Sequence, residues 1–144
     1  MIAMRMLIVP SLLLAACSPS STTPAETGLK EELYFAADGR GRLCVFPGRR
    51  DAAIIAFARD SQINCSAAGR IEGVGDKLAL VPAGESECRI PLQVRGDLVT
   101  VGKPGATCDY YCGPDATWGG QVYRWTDTST AETMAEPLMP TEHC

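Results

Sequence analysis

The sequence predicts a mainly β domain: an antiparallel meander curled into a small barrel or sandwich and stabilised by disulfides. Three observations predict it. Short segments alternate apolar and polar residues with period two, the signature of a half-buried strand. Gly-Asp and Pro/Gly-rich turns recur at roughly ten-residue spacing between them. Six cysteines are scattered through the same region, Cys44, Cys65, Cys88, Cys108, Cys112 and Cys144.

The folded part is expected to begin between Leu29 and Leu33, and a series of short strands runs from Arg42 to Trp125. Residues 52–59, AAIIAFAR, suit a buried strand through Ile54, Ile55 and Phe57. Their alanines and the preceding Asp51 also suit a short capped helix; the strand is preferred. Residues 71–74 and 77–81 form two strand candidates separated by Gly75-Asp76, and residues 82–87, PAGESE, make the next polar turn. In residues 88–95, CRIPLQVR, Ile90, Leu92 and Val94 share one face and Arg89, Pro91, Gln93 and Arg95 the other. Pro91 has no amide donor, so its strand is expected at an edge, or with that position facing outward. Gly96-Asp97 turns the chain into Leu98-Val99-Thr100-Val101 to complete a hairpin. Residues 109–118, DYYCGPDATW, centre on Gly-Pro-Asp and read as a loop with at most one helical turn. Residues 121–125, QVYRW, supply a last strand, and the tail beyond them reads as irregular.

Ahead of the domain, residues 1–16 carry one charge, Arg5, followed by an apolar-to-small run. That is a signal-peptide layout, and it is shorter than the ~20 apolar residues a membrane-crossing helix needs. The run ends in Leu14-Ala15-Ala16-Cys17, which resembles the lipobox of bacterial lipoproteins. The resemblance implies cleavage before Cys17 and acylation of its sulfur and new amino group, giving a stable multi-chain anchor. Ser18 in place of Asp implies the outer membrane of a Gram-negative envelope, facing the periplasm. Residues 18–28, SPSSTTPAETG, contain no large apolar group and read as a flexible tether. The expected organisation is therefore signal peptide 1–16, lipidated Cys17 with tether 17–28, and a single β domain 29–144.

An exported domain meets an oxidising compartment, so the six remaining cysteines are expected to form disulfides, in any of fifteen pairings. If Cys144 is paired, it staples the C-terminal tail to the body. Zinc is the competing use of Cys108 and Cys112, but the one histidine is His143, so no metal or cofactor is expected.

The whole chain has 13 Lys and Arg against 17 Asp and Glu, and removing Arg5 takes the net charge from −4 to −5. A net acidic chain disfavours a nucleic-acid backbone as partner. Arg40, Arg42, Arg49 and Arg50 cluster early and read as a solvated face. No cation follows Arg124, so the tail with Asp127, Glu132, Glu136 and Glu142 is acidic; a solvated tail is the preferred reading, a surface for a basic partner the sharper one.

No catalytic residues are assigned. A triad would have to use His143, and Gly39-Arg40-Gly41 and Gly73-Val74-Gly75 lack the strand–helix context of phosphate loops. The most distinctive stretch is Cys108-Asp109-Tyr110-Tyr111-Cys112-Gly113-Pro114-Asp115-Ala116, with Trp118 just beyond. Tyr110, Tyr111 and Trp118 form the candidate binding surface, because aromatic side chains give stiff, amphipathic contact area. The alternative is that these rings close the barrel and the cysteines fasten a loop.

Leu43-Cys44, Asn64-Cys65-Ser66-Ala67, Ala79-Leu80-Val81-Pro82, Cys88-Arg89-Ile90-Pro91-Leu92 and Tyr110-Tyr111-Cys112-Gly113-Pro114 resemble a group of small lipoproteins of sphingomonad-type alphaproteobacteria. That resemblance spans most of residues 43–125, implies an envelope location and carries no activity with it. Size, anchor, disulfides and acidity are also similar to the small β-barrel lipoproteins that inhibit lysozyme in the periplasm, although the short loop motif those proteins place in the enzyme's cleft is not evident. The combined expectation is a non-catalytic module. It binds an envelope protein or a peptidoglycan-related partner, with a purely structural envelope role as the alternative.

Overall fold

The computed structural model describes residues 28–127. Signal peptide, lipidation site, most of the tether and the acidic tail, with Cys17, His143 and Cys144, lie outside the described residues.

Eight strands follow one another around a closed antiparallel barrel: β1 (Glu32–Ala36), β2 (Arg42–Val45), β3 (Asp51–Phe57), β4 (Asn64–Val74), β5 (Lys77–Pro82), β6 (Ile90–Arg95), β7 (Leu98–Val101) and β8 (Val122–Trp125). Each strand pairs with its neighbour in sequence, and β8 returns to pair with β1. Of the two predicted architectures the barrel is the one formed, and residues 51–57 are strand, not helix.

Inward-facing residues stay in register from strand to strand. Tyr34 lies opposite Leu43, Leu43 opposite Ile54 and Ile54 opposite Ala67. Farther round, Ile71, Leu80 and Ile90 form one rung, while Val99, Tyr123 and Ala36 form another. These side chains are buried and fill the barrel, as expected where eight strands leave an interior only wide enough for side chains. Large and small residues offset each other: Tyr34 and Tyr123, both fully buried, share the interior with Ala52, Ala56 and Ala67.

Strand β4 turns the corner that allows closure. Asn64–Arg70 pair with β3 and Gly69–Val74 pair with β5, so one strand serves two sides of the barrel. A Cβ at Gly69 would run into the Val81 carbonyl oxygen and lie 2.7 Å from Pro82 Cα. Only glycine lets β5 come that close, the usual role of a strand glycine at a sharp bend.

Closure also changes the expectation for Pro91. It is not on an edge strand; it pairs with Ala79 of β5, and β7 lies on its other side. Its carbonyl accepts the Gly102 N–H at 2.9 Å. In an antiparallel ladder a residue's N and C=O point the same way, so the missing donor faces the end of β7, where the ladder stops anyway. Strand β1 had no sequence signal of its own because four of its five residues are buried, on both faces, leaving no alternation to read.

Candidate functional site: a disulfide-pinned aromatic loop

Between β7 and β8 the chain makes its longest connection, residues 102–121. A loop of that length without secondary structure would be costly to order. Here it contains a short 3₁₀ segment, η1 (Ala106–Tyr111), and it is fastened on two sides. Cys88 in the β5–β6 loop is bonded to Cys108, and Cys65 near the start of β4 is bonded to Cys112. Hydrogen bonds add to this: Gly113 N–H donates to the Asn64 carbonyl at 2.9 Å, and Thr107 Oγ1 donates to the Glu87 carbonyl at 3.2 Å. Cys65, Cys88 and Cys108 are fully buried in the main core, so both bridges are rooted in the barrel.

The three predicted aromatics separate. Tyr110 is 90% exposed, the most exposed large hydrophobic side chain of the described residues. Tyr111 is half-buried, packs against the core, and meets the Tyr110 ring edge to face at 5.5 Å between centroids. Trp118 is 2% exposed and belongs to the barrel core. Its Nε1 has no hydrogen-bond partner among the described residues. Structure therefore divides the candidate surface: one tyrosine is presented, one braces it and the tryptophan closes the barrel interior.

Sequence reasoning missed Ile63, 39% exposed, whose side chain would be struck by a Cβ on Gly113 and so sits beside the loop. An isolated Ile in a polar turn gives no signal of that adjacency. The loop is also bordered by exposed carboxylates, Asp109 and Asp115 within it and Glu87 across the Thr107 hydrogen bond. Asp115 takes φ of 64°, holding the turn after Pro114 in the left-handed region that Asp tolerates.

A second concavity, an open cleft of about 690 Å³, lies where the β2–β3 turn, the middle of β4 and the β5–β6 loop meet. Arg49, Asp51, Arg70 and Glu85 line it with alternating charge. Arg70 is committed to Glu72 at 2.7 Å, and Arg89 reaches the other Glu72 oxygen at 2.7 Å. These two partners hold the Glu72 carboxyl below its ordinary pKa, and the Glu72 carboxylate in turn raises that of Arg70. Among the described residues no group of three His, Cys, Asp or Glu is placed to hold a metal ion.

Of the four early arginines, Arg49 and Arg50 are exposed as a solvated face would have them, but Arg40 and Arg42 are not. Arg42 is 9% exposed, lies over the Phe35 ring at 4.7 Å and donates to the Gly39 and Arg40 carbonyls. Arg40 donates to the Ser61 and Ala58 carbonyls while covering Phe57. The planar guanidinium can stack and donate at once, which is why these cations are drawn onto the barrel wall.

Comparison with protein-family models, with curated proteins and with solved structures finds no match to this chain.

Proposed function

We propose that this protein is a lipid-anchored envelope lipoprotein whose barrel is a rigid mount for a recognition loop, and that it binds, and in binding inhibits, a basic protein of the envelope such as lysozyme. The observation that carries this reading is Tyr110: an aromatic ring left 90% exposed on a loop that two disulfides hold in place. Leaving such a ring in water forgoes the burial that stabilises every other large aromatic here, and ordering the loop in advance lowers the entropy cost of binding. The bordering Asp109, Asp115 and Glu87 supply the charge that would steer a cationic partner onto the ring. Signal peptide and lipobox place the protein at the periplasmic face of the outer membrane in this reading, with the tether giving the barrel reach.

The test is inhibition of lysozyme by the chain lacking residues 1–16, together with crosslinking in intact cells using the lipidated form as bait. Submicromolar inhibition, weakened at least tenfold by Tyr110→Ala and by raised salt, supports the reading. No inhibition at high excess and no anchor-dependent crosslinked partner removes it. The buried position of Trp118 favours a second reading, in which the loop closes a structural envelope component. In that case Tyr110→Ala changes no interaction, and a deletion phenotype in envelope integrity is the relevant measurement.

A further inference from the structure

The open cleft of about 690 Å³ beside β4 lies within the ~300–1,000 Å³ typical of small-ligand sites. Its floor follows from the strand register. At the bend of β4, Ala52 of β3, Gly69 of β4 and Pro82 of β5 form one rung, and Asp51, Arg70 and Val81 form the next. Ala68 and Gly69 keep β4 low between its neighbours, and a side chain at position 69 is excluded by the Val81 carbonyl. Small apolar side chains and bare backbone are what a ligand would meet there.

The walls on either side are already ordered. In the β2–β3 turn, Phe46 N–H donates to the Asp51 carbonyl at 3.0 Å and Arg49 N–H to the Phe46 carbonyl at 3.2 Å. Gly48 N–H donates to Glu31 Oε1 at 2.8 Å and ties that turn to the start of β1. Across β4, in the β5–β6 loop, Ala83 N–H donates to the Ala68 carbonyl at 3.1 Å and Glu85 N–H to the Pro82 carbonyl at 3.2 Å. The Cys88–Cys108 bridge holds the far end of the same loop. Walls fixed in advance lower the entropy cost of binding.

Each wall carries one charge that the fold leaves uncommitted. Arg49 lies over the Phe46 ring at 5.4 Å, and among the described residues its guanidinium makes no ion pair and no hydrogen bond. Stacking sets the plane of this fork, which fits a carboxylate through two parallel hydrogen bonds. Glu85 accepts one long hydrogen bond, from Glu87 N–H at 3.4 Å, and pairs with no cation among the described residues. The other two charges are balanced, because Arg70 is held by Glu72 and is the cross-strand neighbour of Asp51. A cation on one wall and a carboxylate on the other select a ligand with opposite charges at its two ends. The walls stand on β3 and β5, two strand spacings or about 10 Å apart. An extended peptide advances ~3.3–3.6 Å per residue, so about three residues cross that gap.

We infer that this cleft binds a short peptide with free ends, about three residues long, its terminal carboxylate on Arg49 and its terminal ammonium on Glu85. Small side chains suit the Ala–Gly floor. None of the lining residues belongs to the Tyr110 loop, so the site stands or falls independently of what that loop recognises.

Isothermal titration calorimetry of the full chain in detergent micelles tests it, with trialanine as the probe. Saturable binding is expected, weakened about tenfold when the probe's C-terminus is amidated and about tenfold when its N-terminus is acetylated. Arg49→Ala should bind the free acid as weakly as the wild type binds the amide, and should no longer distinguish the two. Glu85→Gln should likewise stop distinguishing the acetylated probe from the free amine. Arg49 is exposed on a turn, so its variant is expected to keep the barrel's circular dichroism signal. No saturable binding of trialanine at millimolar concentration, or binding by the wild type that is indifferent to the blocked ends, would overturn the proposal. So would a folded Arg49→Ala chain that still prefers the acid to the amide.

Discussion

Removing the two loop disulfides one at a time gives a quantitative check on how the recognition loop is held. Cys65–Cys112 closes a loop with sequence separation 47 and Cys88–Cys108 one of 20, nested inside it. The chain-entropy relation assigns about 4 kcal/mol to the outer bond and about 3 kcal/mol to the inner. Nesting changes this little: with the inner bond closed, the outer loop shortens to about 28 links and its contribution to about 3.6 kcal/mol. Cys65, Cys88 and Cys108 are fully buried, so replacement by Ala adds a small void at each, on the order of 1 kcal/mol per pair. Cys65→Ala/Cys112→Ala is therefore expected to cost about 5 kcal/mol, and Cys88→Ala/Cys108→Ala about 4 kcal/mol. The assay is urea denaturation of the chain lacking residues 1–16, followed by far-UV circular dichroism, with limited proteolysis in the native buffer. Both variants should keep the barrel's β signal while the peptide bonds around Tyr110 become cleavable. A loss under 1 kcal/mol for either pair, or a loop still resistant to protease, would refute the argument that the bridges order this loop.

Other expectations follow from single groups. Tyr34 is fully buried, and burial raises its phenol to about 12 from the ordinary 10.0, while Tyr123 moves in the same direction for the same reason. Because the folded values lie above the unfolded ones, stability is intact below pH 10 and falls as pH rises toward 12. For Tyr34 alone the loss is about 3 kcal/mol, readable as a falling melting temperature alongside the phenolate absorbance. Tyr123→Phe removes the hydrogen bond from its hydroxyl to the Ile55 carbonyl at 2.9 Å and is expected to cost about 1 kcal/mol, more if the carbonyl stays dry, by urea midpoint. Glu72 is held below its ordinary pKa by Arg70 and Arg89, so its contribution is present at neutral pH and is lost as pH falls through that lowered value. Glu72→Gln should flatten that part of the acid limb, with wild type and variant converging at low pH. Gly69→Val should prevent β5 from reaching β4 and abolish the folded state, seen as loss of the β signal in circular dichroism.

Much of the barrel was legible in the sequence because its strands are half-buried and so alternate. Ile90, Leu92 and Val94 alternate with residues that face away from the core, and the Gly75 and Gly96 turns, both at positive φ, fall where the chain reverses. Alternation fails where both faces are dry, which is why Glu32–Ala36 gave no strand signal. It also cannot say whether a meander closes. Closure depends on β8 reaching β1 and on the close approach at Gly69, contacts between residues far apart in the chain.

The loop shows the same division. Residue types alone singled out Cys108 to Trp118, because paired cysteines around two tyrosines are unusual in a turn. Composition alone could not sort Tyr110 from Trp118, since both rings are amphipathic and only the surrounding packing leaves one 90% exposed and the other 2%. Nor could it choose among the disulfide pairings, which depend on which thiols the folded backbone brings together. What the sequence by itself determined was the local order: which segments extend, where they turn, which thiols and rings are available. What the tertiary structure decided was which of those groups meet. Pairing, burial and barrel closure are properties of distances across the chain, and no local pattern encodes them.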